Sequence, residues 1–415
     1  MAESVSLRWR TYGALVTAVS WLHYAVLSRF SASDEGGTAW LKKRLDPVLP
    51  GEASGHRIWI HAVSAGESKV AELLRHELLA QDPTLSVVLS ASTYSGFARV
   101  RKNAGDAASF VMPLDTPAAQ RRVFTTVKPD LLVLIESEYW PAQLAEAAAA
   151  GVPVVVVNAT LSERSFARHR RFPGVRKATI HRADHVYAQD AATLERYAAL
   201  GVERARLEIG GNLKLAVANG APQPKSGAPL ITFGNVHREE LVALAPAIAD
   251  LAARRPDVRI ALVPRYPGKT SEDAMRQAFG PRLSIISDEA QLEAAGPLAW
   301  LNQMGTLSKV YARATIGVVC GTFAPIGGHD LAEPLQLGAV SVFGPHVERQ
   351  RALEATLREL QAGVKLQSTA ELPDAVIGLL DDPARRDAMI TRFADASGSA
   401  VRRLAEIAAA LRARL

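Results

Sequence analysis

The sequence of 415 residues contains a single cysteine, Cys320, so it has no internal disulfide framework. A chain of this length without disulfides is typical of a reducing compartment. Cys320 lies in the apolar run IGVVCG, and we predict that it is a buried core residue. The length predicts two or three domains with ample room for a hydrophobic core.

Dense basic runs interleaved with aromatic residues are absent, and so are the residue spacings of zinc sites, which disfavours a nucleic-acid-binding protein. Hydrophobic residues make up 48% of the chain and charged residues 22%, which excludes extensive disorder. The net charge of +6 suits anionic partners such as nucleotides, phosphorylated substrates or an acidic membrane surface. A mildly basic soluble enzyme agrees with this charge equally well.

The N-terminal segment lacks formal charge between Thr11 and Ser28, but it is borderline for the roughly 20 apolar residues of a membrane-spanning helix. Arginines flank it, and its apolar residues share one helical face. An interfacial helix fits this amphipathic pattern best, while a spanning helix and a buried domain helix stay open. No small-residue site for signal cleavage follows the segment. We predict a membrane-associated helix over residues 1–30.

Strand and helix patterns alternate after residue 56. Continuous apolar runs, as opposed to alternating ones, predict parallel strands that are covered on both faces. The predicted strands are 58–63, 85–92, 130–137, 152–159, 185–189, 230–235, 258–265, 316–322 and 341–346. The pattern predicts the α/β class, with doubly wound parallel sheets.

A break in this alternation divides the chain. Residues 218–229 (ANGAPQPKSGAP) are rich in proline, glycine and small residues and are predicted to be a linker. We therefore expect one domain over 31–217 and a second over 230–415, with a ligand cleft between them. The tail after residue 382 is predicted to be helical and to pack back on the N-terminal domain.

The stretch HAVSAGES at 61–68 reads as a strand, a turn and the start of a helix, a junction where open α/β sheets hold ligands. Glu67 lies at the predicted loop tip, where its carboxylate can contact a ligand. Alternatively, the Glu67 carboxylate stabilises the N-terminus of the following helix. Gly66 allows close backbone approach or relieves a turn with positive φ. Ser64 is a candidate hydrogen-bonding residue or a plain loop serine.

Further polar residues follow other predicted strands. Glu136 and Glu138 are expected to point the same way in extended chain, and mutual repulsion would raise at least one pKa. Thr93 and Ser95 are in a small polar turn or cap a helix. Four further side chains are candidates for anion binding, each with a surface or capping alternative: Arg164, Lys214, His237 and Arg265.

Six motifs occur in series: HAVSAGE (61–67), ESEYWP (136–141), LSERS (161–165), GNLK (211–214), PRYP (264–267) and GGHDLAEP (327–334). Together they resemble the Kdo transferases, which add 3-deoxy-D-manno-oct-2-ulosonic acid (Kdo) to lipid A precursors in lipopolysaccharide core biosynthesis. The resemblance implies a GT-B fold of two Rossmann-like domains, inversion at the anomeric carbon and no metal or cofactor beyond the donor CMP-Kdo. It also implies a location at the cytoplasmic face of the inner membrane.

The same resemblance implies site residues. Glu67 matches the position of the family's general base. The expected acceptor-binding residues, in the N-terminal half, are Ser64, Gly66, Thr93, Ser95, Glu138, Arg164 and Lys214. The expected donor-binding residues, in the C-terminal half, are His237, Arg265, Met304, Gly305, Gly327, Gly328, Asp330 and Glu333.

The donor half departs from the family pattern at several positions. Thr306 stands where a glutamate is usual, Asp330 where an asparagine is usual, and Tyr266 where a histidine is usual. An acidic residue near the expected phosphate region disfavours an anionic donor unless a cation compensates. A related glycosyltransferase with another sugar or acceptor, and a non-catalytic membrane-bound paralogue, therefore stay open.

Overall fold

The computed structural model describes residues 38–51, 53, 55–216, 225, 227–270, 272–281 and 283–415. The predicted anchor helix and most of the predicted linker lie outside these residues. The chain forms two compact units, an N-terminal unit of Met1–Val217 with Gly398–Leu415 and a C-terminal unit of Ala218–Ser397. Among the described helices, none has the length and apolar character needed to cross a membrane.

The N-terminal unit contains a parallel sheet of seven strands. Its strands are β1 (Arg57–Ala62), β2 (Ser86–Ala91), β3 (Ser109–Val111), β4 (Leu131–Ile135), β5 (Val154–Ala159), β6 (His185–Ala188) and β7 (Leu207–Ile209), in the spatial order β3-β2-β1-β4-β5-β6-β7. Its helices are α1 (Thr38–Leu45), α2 (Ala65–Gln81), α3 (Tyr94–Ala104), α4 (Pro117–Val127), α5 (Pro141–Ala150), α6 (Glu163–Arg171), α7 (Pro173–Ala178) and α8 (Ala191–Ala199).

The C-terminal unit has a second parallel sheet of seven strands. These are β8 (Leu230–Val236), β9 (Arg259–Pro264), β10 (Leu283–Ile286), β11 (Leu298–Leu301), β12 (Ile316–Val319), β13 (Val340–Phe343) and β14 (Gly363–Lys365), in the order β10-β11-β9-β8-β12-β13-β14. The helices are α9 (Leu241–Arg254), α10 (Glu272–Phe279), α11 (Leu307–Arg313), α12 (Glu333–Gln336), α13 (Arg351–Glu359), α14 (Leu372–Asp381) and α15 (Pro383–Arg412). The end of α15 belongs to the N-terminal unit.

The central strands are buried on both faces, as the continuous apolar runs predict. Every residue of β1 and β4 is buried, including Trp59. The Trp59 ring packs against Phe110 and Phe124, with ring centroids 5.5 and 5.4 Å away. Cys320 is likewise buried and free, as predicted. This double coverage confirms the predicted α/β class.

The nine predicted strands are present with slightly different ends, but the prediction missed five others. The missed strands are β3, β7, β10, β11 and β14, each of three or four residues. Four of them are the outermost strands of the two sheets. Their shortness contributes to this, because a run of three or four residues carries little apolar pattern, although the four-residue strands β6, β12 and β13 were predicted.

Candidate functional site

The turn after β1 leads directly into α2. Ser64 is the N-cap residue of α2, and Glu67 lies in the helix's first turn. The prediction that Glu67 stands at a loop tip is therefore wrong, because the helix begins at Ala65, two residues earlier. The local reason is the Ser-x-x-Glu sequence, which favours a helix start by exchanging side-chain and main-chain hydrogen bonds.

The Glu67 carboxylate is buried and has two hydrogen-bond donors. The main-chain N–H of Val63 donates to Oε2 at 2.6 Å, and the Ser64 hydroxyl donates to Oε1 at 2.9 Å. The helix-capping alternative thus describes the local contacts correctly. A carboxylate has about four acceptor positions, however, so these bonds leave acceptor capacity for a further proton donor. Burial raises the pKa of Glu67, and the nearby charge of Glu136 adds to this, while the two hydrogen bonds and Lys214 oppose it.

Glu136 and Glu138 follow β4 and complete a carboxylate cluster with Glu67. Burial raises the pKa of Glu138 to about 7, with added repulsion from Glu67 and Glu136. The predicted repulsion from Glu136 is therefore one cause of the raised pKa of Glu138, but burial is the larger one. The expected extended chain is wrong, because Glu136 has a left-handed φ of 65°. Lys214 forms an ion pair with Glu136, and that pair partly neutralises the cluster.

The turn after β2 packs against the turn after β1. Thr93 caps α3 by accepting from Gly96 N, and its hydroxyl donates to Val63 O at 2.7 Å. A Cβ on Gly96 would be 2.9 Å from Val63 O, so only glycine permits this approach. The capping alternative for Thr93 therefore holds. Ser95 is exposed in the first turn of α3.

Two other predicted acceptor residues are exposed. Gly66 is exposed, its φ is not positive, and a Cβ there would meet nothing closer than Ser64 Oγ at 3.9 Å. The suggestion that Gly66 relieves a positive-φ turn is therefore wrong. Arg164 is exposed in α6 and has no ion-pair partner among the described residues. Both residues are accessible to a ligand.

The C-terminal unit contains a cavity of about 350 Å³, here called the donor cavity. It lies at the carboxyl ends of β9 and β11, the edge where open α/β sheets hold ligands. Five of the eight predicted donor residues line it: Arg265, Met304, Gly305, Asp330 and Glu333. The sequence reasoning did not select Asn235, Gln303, Ser308 or His329, which also line it.

His237 contacts this cavity through His329. Their rings stack with centroids 5.1 Å apart, and their Nε2 atoms are 2.8 Å apart, so one ring donates and the other accepts. Burial lowers both pKa values, that of His329 to about 4, and the Arg265 charge also lowers them. His237 is in addition the N-cap residue of a short 3₁₀ turn, as its alternative predicted.

Glu240 is a further residue that the sequence reasoning missed. Its fully buried carboxylate accepts from the main-chain N–H groups of Gly321 at 2.7 Å, Phe323 at 2.9 Å and His237 at 3.2 Å. It thereby fixes the loop after β12 against the turn after β8. The local sequence contains only a weak signal, because the usual capping pattern has serine, threonine, aspartate or asparagine three residues before the glutamate, and here that residue is His237.

The remaining predicted donor residues have visible local roles. Gly327 and Gly328 have φ of 100° and 86°, which glycine adopts without strain, but neither lines the donor cavity. The Asp330 carboxylate accepts from Ala332 N at 3.0 Å, a contact that an asparagine side chain also makes. Glu333 accepts from the Ser308 hydroxyl at 2.8 Å. Within the described residues no group of acidic, histidine or cysteine side chains is arranged to hold a metal ion.

Comparison with solved structures shows the class of fold. Acinetobacter baumannii MurG matches with a TM-score of 0.52 at 14% identity, over 85% of this chain and 99% of MurG. The UDP-GlcNAc 2-epimerase of Neisseria meningitidis matches with a TM-score of 0.52 at 13% identity, over 87% of this chain and all of the epimerase. With two parallel sheets of seven strands, the protein therefore has a GT-B-like fold of two Rossmann-like domains.

Sequence comparison shows the family. Residues 38–217 match the family model for 3-deoxy-D-manno-octulosonic-acid transferase (kdotransferase). The Bordetella pertussis 3-deoxy-D-manno-octulosonic acid transferase is 30% identical over 359 residues, 80% of this chain and 81% of the relative. The Chlamydophila psittaci transferase is 28% identical over 363 residues, 84% of this chain and 82% of the relative. The chain belongs to the Kdo transferase family of glycosyltransferases.

Proposed function

We propose that the protein transfers Kdo from CMP-Kdo to a hydroxyl group of a lipid A precursor, with inversion and with Glu67 as general base. The buried carboxylate of Glu67, whose pKa burial raises, is the observation that carries this proposal. A general base works best when its pKa approaches the operating pH, and burial beside like charges moves a glutamate in that direction. The family membership of the chain supports the donor sugar.

The proposed reaction is a single displacement. The acceptor hydroxyl oxygen forms a bond to the anomeric carbon of Kdo while its proton passes to the Glu67 carboxylate. The bond between that carbon and the phosphate oxygen breaks, and its electron pair leaves with CMP. Attack on the face opposite the leaving group gives inversion. The chain's own part is to hold the base, orient the hydroxyl and stabilise the departing phosphate.

Contacts around Glu67 favour an oriented base. The donors from Val63 and Ser64 fix the carboxylate in one rotamer, so little reorientation is needed when an alcohol arrives. Glu136 holds Lys214 beside the cluster, so the cluster keeps one cation. Glu138 is partly protonated at neutral pH because its pKa is about 7, and a protonated carboxyl group can donate to an acceptor oxygen.

On the donor side, Arg265 is the strongest candidate for the CMP phosphate. Its guanidinium lies 5.5 Å from the ring centroid of Tyr266. The Lys269 ammonium lies 4.7 Å from the same centroid. Arg265 lines the donor cavity together with the carboxylates of Asp330 and Glu333, so its positive charge offsets one of these two negative charges. Asp330 itself serves as a turn-stabilising acceptor. CMP-Kdo is therefore the donor that we propose.

The test measures CMP release by the full-length protein with CMP-Kdo and a lipid A precursor. Glu67→Gln should lower turnover by about 10²- to 10⁴-fold with little change in donor binding. Glutamine keeps an acceptor for Val63 N, so the fold should survive, and the melting temperature checks this. The matched control is Glu77→Gln in the same helix, which should keep turnover within about twofold. Unchanged turnover in Glu67→Gln would remove Glu67 from the mechanism.

Location and the absence of a metal have separate tests. We propose a location at the cytoplasmic face of the inner membrane, with residues 1–30 as the anchor. Cell fractionation of the full chain and of a chain lacking residues 1–30 would test this location.

We propose that no metal or cofactor takes part, so chelation with EDTA should leave CMP release unchanged. Turnover only with another nucleotide sugar would favour the related-glycosyltransferase alternative. Acceptor binding without turnover of any donor would favour the non-catalytic paralogue.

A further inference from the structure

A second cavity in the C-terminal unit lies apart from the donor cavity. It has a volume of about 740 Å³ and shares no lining residue with the donor cavity. The edge strand β14 and its neighbour β13 border it on one side, through Lys365 and Phe343. Its size lies within the range of small-molecule sites in proteins. We call it the edge cavity.

Two helices turn one face each toward the edge cavity. Arg385, Met389 and Arg392 recur at spacings of four and three along α15, which places them on one helical face. Glu354 and Arg358 are four apart in α13 and likewise share a face. The cavity is thus built from regular elements, which hold side chains in more fixed positions than loops do.

The charges around the edge cavity are strongly unequal. Four cationic side chains line it, and Glu354 is the one carboxylate among its lining residues. Glu354 is shared between Arg358 at 3.9 Å and Lys365 at 3.8 Å, so it offsets only one of these charges. The Arg385 guanidinium has no hydrogen-bond or ion-pair partner among the described residues. A ligand of at least two negative charges would balance this excess.

Arg392 is already oriented. Its guanidinium donates from Nε to Leu360 O at 2.8 Å and from Nη2 to Gln361 O at 2.6 Å, so it is bound to the carbonyl end of α13. These bonds restrict the side chain before any ligand arrives and lower the entropy that binding would cost. Arginine is suited to phosphate because its planar group can donate two parallel hydrogen bonds.

The floor of the edge cavity is apolar. Phe343 is 2% exposed and Met389 is 3% exposed, so these two lining residues are more buried than the exposed Lys365 and Arg385, and we take the two buried residues as the floor. A small inorganic anion would leave such a floor uncovered. A cationic rim above an apolar floor suits a ligand that joins a phosphate group to an apolar moiety.

We propose that the edge cavity between β14, α13 and α15 binds an organic phosphate, through Lys365 and Arg385 at its rim and Phe343 and Met389 at its floor. The phosphate can belong to a free phosphate ester or to the headgroup of a phospholipid. The site is distinct from the proposed transfer reaction, so the two proposals can fail independently.

The first experiment titrates the full-length protein with phenyl phosphate and with inorganic phosphate, in the absence of any sugar donor. Phenyl phosphate should bind several-fold more tightly because its ring covers the apolar floor. The double variant Lys365→Gln/Arg385→Gln should weaken its binding at least about tenfold, because charge-assisted hydrogen bonds are lost. Both side chains are exposed, so the variant should fold, and its melting temperature checks this.

The matched control is Arg254→Gln/Arg276→Gln, which removes the same charge from exposed helix surfaces of the same unit. Both control arginines form surface ion pairs with acidic residues of the chain, whose loss costs little stability. The control should bind phenyl phosphate within about twofold of wild type. If the control weakens binding as much as the cavity variant does, a general charge effect explains the binding and the proposal is overturned.

The second experiment separates the two phosphate sources. Vesicles of phosphatidylglycerol in phosphatidylcholine are mixed with wild type and with the cavity variant. If wild type binds the vesicles more tightly than the cavity variant does, while the two proteins do not differ with phenyl phosphate, the ligand is a lipid headgroup. If the two proteins differ with phenyl phosphate and not with vesicles, the ligand is a free ester. Binding of neither probe overturns the proposal. Loss of phenyl phosphate binding in Arg265→Gln, with binding intact in the cavity variant, places the anion in the donor cavity and also overturns it.

Discussion

Lys214 and Glu136 form an ion pair that links the 3₁₀ turn Leu213–Ala216 to the end of β4. The lysine therefore brings a positive charge close to a second carboxylate, that of Glu67. Its field lowers the pKa of Glu67, while burial and Glu136 raise it. The protonation state of the proposed base is thus set by a balance among burial, its two hydrogen bonds and the charges of Glu136 and Lys214.

The first prediction concerns Glu138 and the pH dependence of turnover. The rate should rise with pH as Glu67 loses its proton and then level off, because a general base must be deprotonated. The Glu67 charge helps to raise the pKa of Glu138 to about 7, so Glu138 is still protonated while Glu67 loses its proton. Glu138→Gln should therefore leave the acid limb of the profile near its wild-type position. The charges of the cluster are coupled, so the measured value belongs to the cluster as a whole. An acid limb that moves to lower pH would show that Glu138 is charged while the base titrates.

The same substitution should change stability with a defined sign. The pKa of Glu138 is raised from 4.5 to about 7 in the folded protein. A carboxyl group with a raised folded pKa stabilises the fold below about pH 4.5 and loses this effect as pH rises through about 7. Between pH 5 and pH 8, the free energy of unfolding of Glu138→Gln should therefore increase by about 1–2 kcal/mol relative to that of wild type. Denaturant unfolding at both pH values measures this difference.

The second prediction concerns Lys214. Lys214→Met removes the cation that lowers the pKa of Glu67, so the acid limb should move to higher pH and turnover at neutral pH should fall. Lys214→Arg keeps the charge and is the matched control. Its pH–rate profile should have an acid limb near the wild-type position. Identical profiles for the methionine and arginine variants would show that the lysine charge does not act on the base.

The third prediction compares two glycines near Glu67. Gly96→Ala would bring a Cβ to 2.9 Å from Val63 O, so it should destabilise the fold by about 1–3 kcal/mol. Gly66→Ala meets only Ser64 Oγ at 3.9 Å, so stability should be kept or slightly increased. If an acceptor approaches this backbone, Gly66→Ala should still raise the acceptor KM. Unfolding curves and steady-state kinetics together separate the two effects, and an unchanged KM would remove Gly66 from acceptor binding.

The sequence predicts the parallel sheets because their central strands are continuous apolar runs. The strand at 58–63 was recognisable from its β-branched and aromatic residues, and the structure places β1 at Arg57–Ala62. The edge strand Ser109–Val111 was not recognisable, because three residues carry no period of their own and depend on the neighbouring strand. Edge strands are therefore determined by tertiary pairing more than by local sequence.

The site was predictable only in part for a related reason. Glu67 was visible because it follows a strand directly in the sequence. The left-handed φ of Glu136 was not, since such backbone is uncommon outside glycine and this one occurs beside an ion pair to a residue 78 positions away. The stacking of His237 on His329 also joins distant segments. Long-range contacts of this kind leave no local pattern.

The last prediction concerns Glu240, whose carboxylate holds the loop after β12. Glu240→Gln places an amide NH₂ opposite at least one main-chain N–H, either that of Phe323 or those of Gly321 and His237. Because a buried donor then loses its acceptor, the free energy of unfolding should fall by about 1–3 kcal/mol. Glu239→Gln, at the exposed neighbouring position, is the control and should stay within about 0.5 kcal/mol of wild type.

Glu240→Gln should also raise the donor KM without a matching loss of turnover. A Cβ on Gly321 would lie 2.7 Å from the His329 ring, so this loop packs closely against a residue that lines the donor cavity. Loosening the loop should therefore disturb the cavity, while the carboxylate cluster around Glu67 keeps its contacts. A drop in turnover with unchanged donor KM would contradict this separation, because it would assign Glu240 to the chemical step and leave donor binding unaffected.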